Sequence, residues 1–277
     1  MVKKFDKILR EGKEEGSTFD ADELVYVEEK IDGANMRVWI DDEGSLRFGS
    51  KNIEFTEDTM QKSFKPVIDY LTQYKDLFKA GYVYYFEAMI KHTISYDFDK
   101  HPKAILIDIY DTEFDRYLNH EMIGLFIDNR FMQAPVIFEG KYKDFVGNFP
   151  LSRYYDGVAE GYVIKPMEFS RDGRGKVHRA KVVAPTFREE KTIKWSSRES
   201  GEEKLVEKYC TKARIEKVIL KLEVAKDMKR DISWTPIVAY NVMYDICTEE
   251  FKKLVKIKKP DMIQIKKMIE VKVKNEL

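Results

Sequence analysis

Five short motifs bearing charged side chains recur in an order and spacing that could do phosphoryl chemistry. Lys30 comes first, in Glu29-Lys30-Ile31-Asp32-Gly33-Ala34-Asn35, where one apolar run (Leu24, Val25, Tyr26, Val27) gives way to a second alternating one (Met36, Val38, Ile40). A lysine between two strand-like runs, followed two residues on by Asp-Gly, is expected on a tight hairpin turn with its amine facing a cleft. Its reference pKa near 10.4 must fall through desolvation or neighbouring cations before it attacks at neutral pH. Lys51 follows in the small-residue break Phe48-Gly49-Ser50-Lys51-Asn52, where it reads as a loop lysine or an anion contact. Glu87 closes the aromatic run Tyr82-Val83-Tyr84-Tyr85-Phe86, as an edge residue or a site ligand. Glu160 opens Glu160-Gly161-Tyr162-Val163-Ile164-Lys165-Pro166 and Lys165 nearly closes it. Five residues apart, the two point to opposite faces of a regular strand, which favours Glu160 over Lys165. Arg179 and Lys181, spaced by two in a strand-like run, share a face; they either meet anions or blunt an exposed edge.

The elements that must carry these residues follow from periodicity. Strands are expected at 24–29, 34–40, 46–48, 82–86, 104–110, 159–166 and 177–183, with Asp41-Asp42-Glu43-Gly44 as a hairpin turn. Residues 3–13 read as a helix or turn. Positions 57–80 fit one amphipathic helix or two broken near Pro66, and another helix is expected near 119–131. Gly140 to Pro150 reads as helix or loop. A basic stretch (Arg171, Arg174, Lys176, His178, Arg179, Lys181) precedes a polar linker, Pro185 to Arg198, and the rest is helical: a helix carrying Tyr209, Ala213, Val218, Leu220 and Leu222, then 237–246 behind Ser233-Trp234-Thr235-Pro236, 251–257 and 263–273. Two domains are expected, 1–198 and 199–277.

The 277 residues carry 49 Lys+Arg and 49 Asp+Glu, so no overall basic field announces a nucleic-acid partner. The distribution is uneven: from residue 200 onward there are 18 basic against 13 acidic residues, leaving 31 against 36 before it. Cys210 and Cys247 lie far apart, without partners at metal spacing, so neither a disulfide framework nor a zinc site is indicated, and a reducing cytoplasm fits. Met1 to Arg10 is charged throughout, unlike a secretory leader, and no apolar run approaches the roughly 18 residues of a membrane span.

The ordered set of turn lysine, loop cation, strand-end glutamate, Glu-Gly-x-Val-Ile-Lys and basic-x-Lys resembles the covalent nucleotidyltransferases, which include ATP-dependent ligases and mRNA capping enzymes. Glu28-Glu29-Lys30-Ile31-x-Gly33, Ala159 to Pro166 and the tail stretch Tyr209-Cys210-Thr211-Lys212-Ala213-Arg214 look most like RNA ligases of the bacteriophage RNA ligase 2 and trypanosome editing ligase type. That resemblance implies an α+β, ATP-grasp-like nucleotidyltransferase domain of antiparallel sheets with flanking helices, followed by a small all-α domain that engages RNA. It implies an ATP-dependent ligase that joins 3′-hydroxyl and 5′-phosphate ends of RNA, expected at nicks in duplex, through lysyl-AMP and with Mg²⁺ or Mn²⁺. Lys30, Glu160 and Lys181 would be catalytic, with Glu160 also the metal-associated carboxylate. Glu29, Ile31, Asn35, Lys51, Glu87, Ile107, Lys165, Arg179 and Lys181 would line the nucleotide site. Arg179 and Lys181 would also depress the Lys30 pKa as neighbouring cations. Three positions depart from the pattern: Asp32 replaces a histidine of the phage branch, Lys51 an arginine, and Ile107 a phenylalanine packed on adenine. A guanylyltransferase of the capping type, a DNA ligase and a non-catalytic RNA-binding module are the competing readings.

Overall fold

The computed structural model describes residues 2–12, 17–90, 93–94, 96–97, 101–128, 130–172, 175–188, 200–226 and 230–277. Arg174 and the linker from 189 to 199 lie outside the described residues. The chain divides into two compact units, Met1–Ala184 and Pro185–Leu277.

The first unit is built on ten strands: β1 (Leu9–Arg10), β2 (Leu24–Lys30), β3 (Ala34–Ile40), β4 (Leu46–Ser50), β5 (Tyr82–Ala88), β6 (Ala104–Asp111), β7 (Arg116–Tyr117), β8 (Val136–Lys141), β9 (Gly161–Pro166) and β10 (Ala180–Val183). They form two five-stranded sheets, ordered β1-β10-β9-β2-β8 and β4-β3-β5-β6-β7. Every pairing is antiparallel except that of β1 with β10. The alternation legible in the sequence sorts the side chains by face. In the second sheet Met36, Val38, Tyr84, Phe86, Leu106 and Ile109 form a core with Phe64, with Val67 and Leu71 of α1 (Lys65–Thr72), and with Ile123 of α2 (His120–Phe126). On the outer face of the first sheet, Val25, Val27, Tyr162, Ile164 and Ala180 pack with Phe19 and, at the rim, Phe138 and Phe145. The remaining faces are turned towards each other, because Lys165 and Arg179 of the first sheet reach Asp108 of the second.

Three local expectations change. Residues 3–13 hold the short strand β1, whose partner β10 is some 170 residues distant and leaves no local trace. Pro66 sits in the first turn of α1 and starts the helix instead of breaking one, since its missing N–H is not needed there. The 140–150 stretch begins inside β8, which pairs with β2.

The second unit is helical: α3 (Gly201–Tyr209), α4 (Lys212–Lys226), α5 (Thr235–Glu249), α6 (Phe251–Leu254) and α7 (Met262–Lys274). Ser200 and Glu203 form a reciprocal cap on α3, and Asp261 accepts from two amides of α7 at 3.0 Å. The helix expected through Tyr209 and Ala213 is two helices: α3 ends at Cys210 and Thr211 accepts from the Arg214 N–H at 3.2 Å to begin α4. Val238, Ala239, Val242 and Ile246 of α5 form the centre of the core, against Val218, Ile219, Ile265, Ile269 and Val273. Among the described residues no helix is long and apolar enough to cross a membrane.

Candidate active site

Lys30 is the last residue of β2 and Ala34 the first of β3, but these strands belong to different sheets. Ile31-Asp32-Gly33 is therefore a crossing between sheets and not the hairpin turn expected. The crossing needs glycine: a Cβ at Gly33 would lie 2.6 Å from the Ala88 carbonyl oxygen and 2.9 Å from Cγ of Glu87. Asp32 is buried and secures the crossing, its N–H donating to the Tyr96 hydroxyl (3.0 Å) and its carboxylate accepting from the Ile94 N–H (2.5 Å). Ile31 is buried beside it.

Register decides what Lys30 meets. On β2 and β9, Lys30 faces Gly161, Glu28 faces Val163 and Tyr26 faces Lys165. Lys181 on β10 is in turn level with Val163. Tyr26, Glu28, Lys30, Lys165 and Lys181 thus share the inner face of the first sheet. Glu160 immediately precedes β9, off the regular strand, so the alternation does not bind it, and its carboxylate accepts a hydrogen bond from Lys30 Nζ. The parity argument that set Glu160 against Lys165 fails for this reason.

The backbone there is close-packed. A Cβ at Gly161 would come within 2.0 Å of the Val182 carbonyl oxygen, so only glycine lets β9 approach β10 beside the Lys30–Glu160 pair.

From the second sheet come Asn35 and Glu87, directly opposite each other on β3 and β5. Asn35 Oδ1 is buried with no hydrogen-bond partner among the described residues. β6 carries a bulge at Ile107: Tyr85 pairs with Asp108 and Phe86 with Leu106, leaving Ile107 as the extra residue. The bulge turns the Ile107 carbonyl to accept from Lys165 Nζ at 2.7 Å. Lys165 also lies 2.7 Å from Glu28 and 3.4 Å from Asp108. Arg179 is buried, donates to Asp108 at 2.8 Å and lies 4.0 Å from the Tyr117 ring centroid. A chain of polar contacts, His120–Glu28–Lys165–Asp108–Arg179, therefore joins the sheets.

Electrostatics overturn one expectation. The groups acting on Lys30 are burial, which favours the neutral amine, and Glu160, Glu87 and Asp32, which together outweigh burial and raise its pKa. Arg179 is committed to Asp108, and the three carboxylates set the direction in which Lys30 shifts. Lys30 rests as an ammonium ion. Burial raises the Glu29 carboxyl against the opposing hydrogen bonds from Ser152 Oγ (2.6 Å) and the Arg153 N–H (3.0 Å). Glu29 thus anchors the 152–153 loop through its side chain. Lys51 is exposed beyond β4.

The crossing lysine, the glutamate ahead of β9 and the basic β10 all fall inside one match: the family model for RNA ligases covers residues 23–183, more than half of the chain. The chain belongs to the RNA ligase family. Among solved structures, Naegleria gruberi RNA ligase bound to pyrophosphate is 17% identical with a TM-score of 0.46, covering 60% of this chain and 51% of that one. A variant of the same enzyme with ATP and manganese is 17% identical with a TM-score of 0.47, covering 67% and 57%. The chain thus spans little more than half the length of these proteins. No curated protein sequence matches it.

The structure brings the expected Lys30, Glu160 and Glu87 together and adds Glu28, Asp108 and His120, which the sequence did not single out. Two of these had a signal. Glu28 has the parity of Lys30, and Asp108 interrupts the apolar run Ala104 to Tyr110. His120 had none. As for metal, no group of three or more His, Cys, Asp or Glu side chains converges among the described residues. Magnesium commonly takes one or two carboxylates with substrate phosphates, and Glu160, whose carboxylate meets Lys30, suits that need.

Proposed function

We propose that this protein is an ATP-dependent RNA ligase acting through lysyl-AMP on Lys30. The observation that carries the reading is the hydrogen bond between Lys30 and Glu160, made between the neighbouring strand ends of β2 and β9 and within the segment that matches the family. Lys30 Nζ attacks the α-phosphorus of ATP, the P–N bond forms, the α–β P–O bond breaks and pyrophosphate leaves. Glu160, already hydrogen-bonded to Nζ, takes one proton from the ammonium so that the neutral amine attacks, and the second proton, released as the P–N bond forms, passes to the departing pyrophosphate or to water. Asn35 Oδ1 and Glu87 supply acceptors for the ribose hydroxyls, and the unpartnered state of Asn35 Oδ1 supports that assignment. Lys181 faces the phosphates, whereas Arg179, tied to Asp108, holds β10 in position. A divalent cation held by Glu160 would offset charge on the phosphate oxygens.

AMP then passes to a 5′-phosphate of RNA, and a 3′-hydroxyl displaces it. A nick in duplex RNA is the substrate form we favour, because the complementary strand already holds the two ends in line. The motif wording around Lys30 and Glu160 supports the branch of bacteriophage RNA ligase 2 and the editing ligases. The test is covalent labelling by α-labelled ATP with Mg²⁺, beside Lys30→Ala. Label that survives denaturation in the wild type and is absent from the variant is expected. Labelling by GTP instead would move the protein to the capping class, and none from either, with no AMP in the intact mass, would refute the reading.

A further inference from the structure

The segment Val2–Glu11 touches both sheets. Towards the second sheet, the carbonyl of Val2 accepts from the Arg37 guanidinium at 3.2 Å and that of Lys3 from the Tyr85 hydroxyl at 3.0 Å. The Phe5 ring packs on those of Tyr85 and Tyr117, with centroids 4.9 and 6.0 Å away. The Asp6 N–H donates to the Tyr117 hydroxyl (3.2 Å), which itself donates to the Asp6 carboxylate (3.0 Å). Towards the first sheet, Leu9 and Arg10 of β1 pair in parallel with Ala180 and Lys181 of β10, and the Glu11 N–H donates to the Lys181 carbonyl at 3.1 Å. The Glu11 carboxylate then accepts from the Tyr142 hydroxyl.

The strand that receives this support is short. β10 has four residues, carries Lys181 and has only β9 on its other side. Without β1 it would be the edge of its sheet, with one row of backbone groups unpaired. Arg179, immediately ahead of β10, is held by the same segment. Its guanidinium lies 4.0 Å from the Tyr117 ring centroid and 5.2 Å from that of Phe5, besides its bond to Asp108. Backbone pairing and ring contacts from one segment thus act on residues 179 and 181 together. A lysine that meets phosphate oxygens must be placed closely, since a displacement of about 1 Å at a reacting site can cost about a hundredfold in rate.

We infer that Val2–Glu11 is a strap that sets β10 against the second sheet and thereby places the Lys181 amine at the nucleotide phosphates. Phe5, Asp6 and Tyr117 are then positioning residues, which act through Lys181 and touch no substrate. This rests on the ligase reading above, in which Lys181 faces the phosphates.

The test is a double-mutant cycle on the full chain, read as the rate of labelling by α-labelled ATP with Mg²⁺ at saturating ATP. Phe5→Ala should slow labelling about tenfold. Tyr117→Phe, which removes only the hydroxyl that Asp6 holds, should slow it about threefold. In the Lys181→Ala background each should change the rate by less than about twofold, because the group through which they act is gone. The comparator is Leu71→Ala, a truncation in the separate core that the second sheet forms with α1. Its melting temperature should fall while its labelling, taken well below melting, stays within about twofold of wild type. Losses that multiply undiminished in the Lys181→Ala background, or a Leu71→Ala variant slowed as much as Phe5→Ala, would overturn the inference by making the segment a general stabiliser. So would unchanged labelling in both strap variants. If Phe5→Ala does not fold, Tyr117→Phe decides through the same cycle. A wild type that takes no label would remove the ligase reading and this inference with it, before any variant is compared.

Discussion

Asp108→Ala should destabilise the first unit far more than the loss of one surface carboxylate. Asp108 lies 2.8 Å from Arg179 and 3.4 Å from Lys165, and the side chains of Asp108 and Arg179 are each 3% exposed. At an effective dielectric of about 20, the attraction across 2.8 Å is about 6 kcal/mol, which offsets the desolvation of both ions. Removing one partner leaves Arg179 buried and uncompensated, which costs about 3–5 kcal/mol. The ring of Tyr117 remains under the guanidinium, and cation–π attraction of about 2 kcal/mol keeps the loss towards the lower figure. Lys165 keeps Glu28 and adds little. Against a domain stability of about 5–15 kcal/mol, the variant folds but opens often. Hydrogen exchange of peptides from β2, β6 and β9 reads this unit separately from the helical one. Replacing both partners, Asp108→Leu with Arg179→Met, removes the stranded charge and should recover most of the loss. A single variant within about 1 kcal/mol of wild type, or a double variant as unstable as the single, would refute the account.

Gly161→Ala places a methyl against the backbone of β10, which no rotamer change can relieve, so about 3 kcal/mol of stability and most adenylylation should be lost together. Wild-type labelling and melting in that variant would show that the strands separate more easily than their packing suggests. Glu28 carries the pH dependence. Burial pushes its carboxyl up, but Lys165 and His120 outweigh burial and hold it below its ordinary 4.5. The folded form therefore binds fewer protons than the unfolded, so this contribution is complete above about pH 4.5 and disappears as pH falls through the folded value. Urea midpoints taken from pH 7 down to pH 3 should fall less steeply in Glu28→Gln than in wild type, and parallel curves would contradict the assignment.

What was legible in the sequence was local. Alternation located β3, continuous apolar or aromatic runs located β2, β5 and β6, the last two buried on both faces, and the order of charged motifs singled out Lys30 and Glu160, which the fold brings together. What was not legible depended on which strands pair. Nothing near residue 31 distinguishes a hairpin from a crossing between sheets, since apolar runs on either side look the same; only the pairing of β2 with β8 and β9, more than a hundred residues on, settles it. The same holds for β1, two residues long, and for the bulge at Ile107, which shifts every later residue of β6 by one position against β5.

The charge state of Lys30 shows why site electrostatics were harder to read than site identity. From sequence, Arg179 and Lys181 were the cations available to favour a neutral amine. In the fold, Arg179 is bound to Asp108, an acid that in sequence looked like a break in an apolar strand. Three carboxylates face Lys30 in place of those cations, and they keep it protonated. The resting cleft therefore holds this lysine in a charged form, and the proposed attack requires a change that weakens the hold of Glu160, whether the carboxylate takes the proton or meets a cation. The charge state of Lys30 thus follows from which carboxylates the fold brings to it, Glu160 from the neighbouring strand and Glu87 from the other sheet, and not from the motif that carries it.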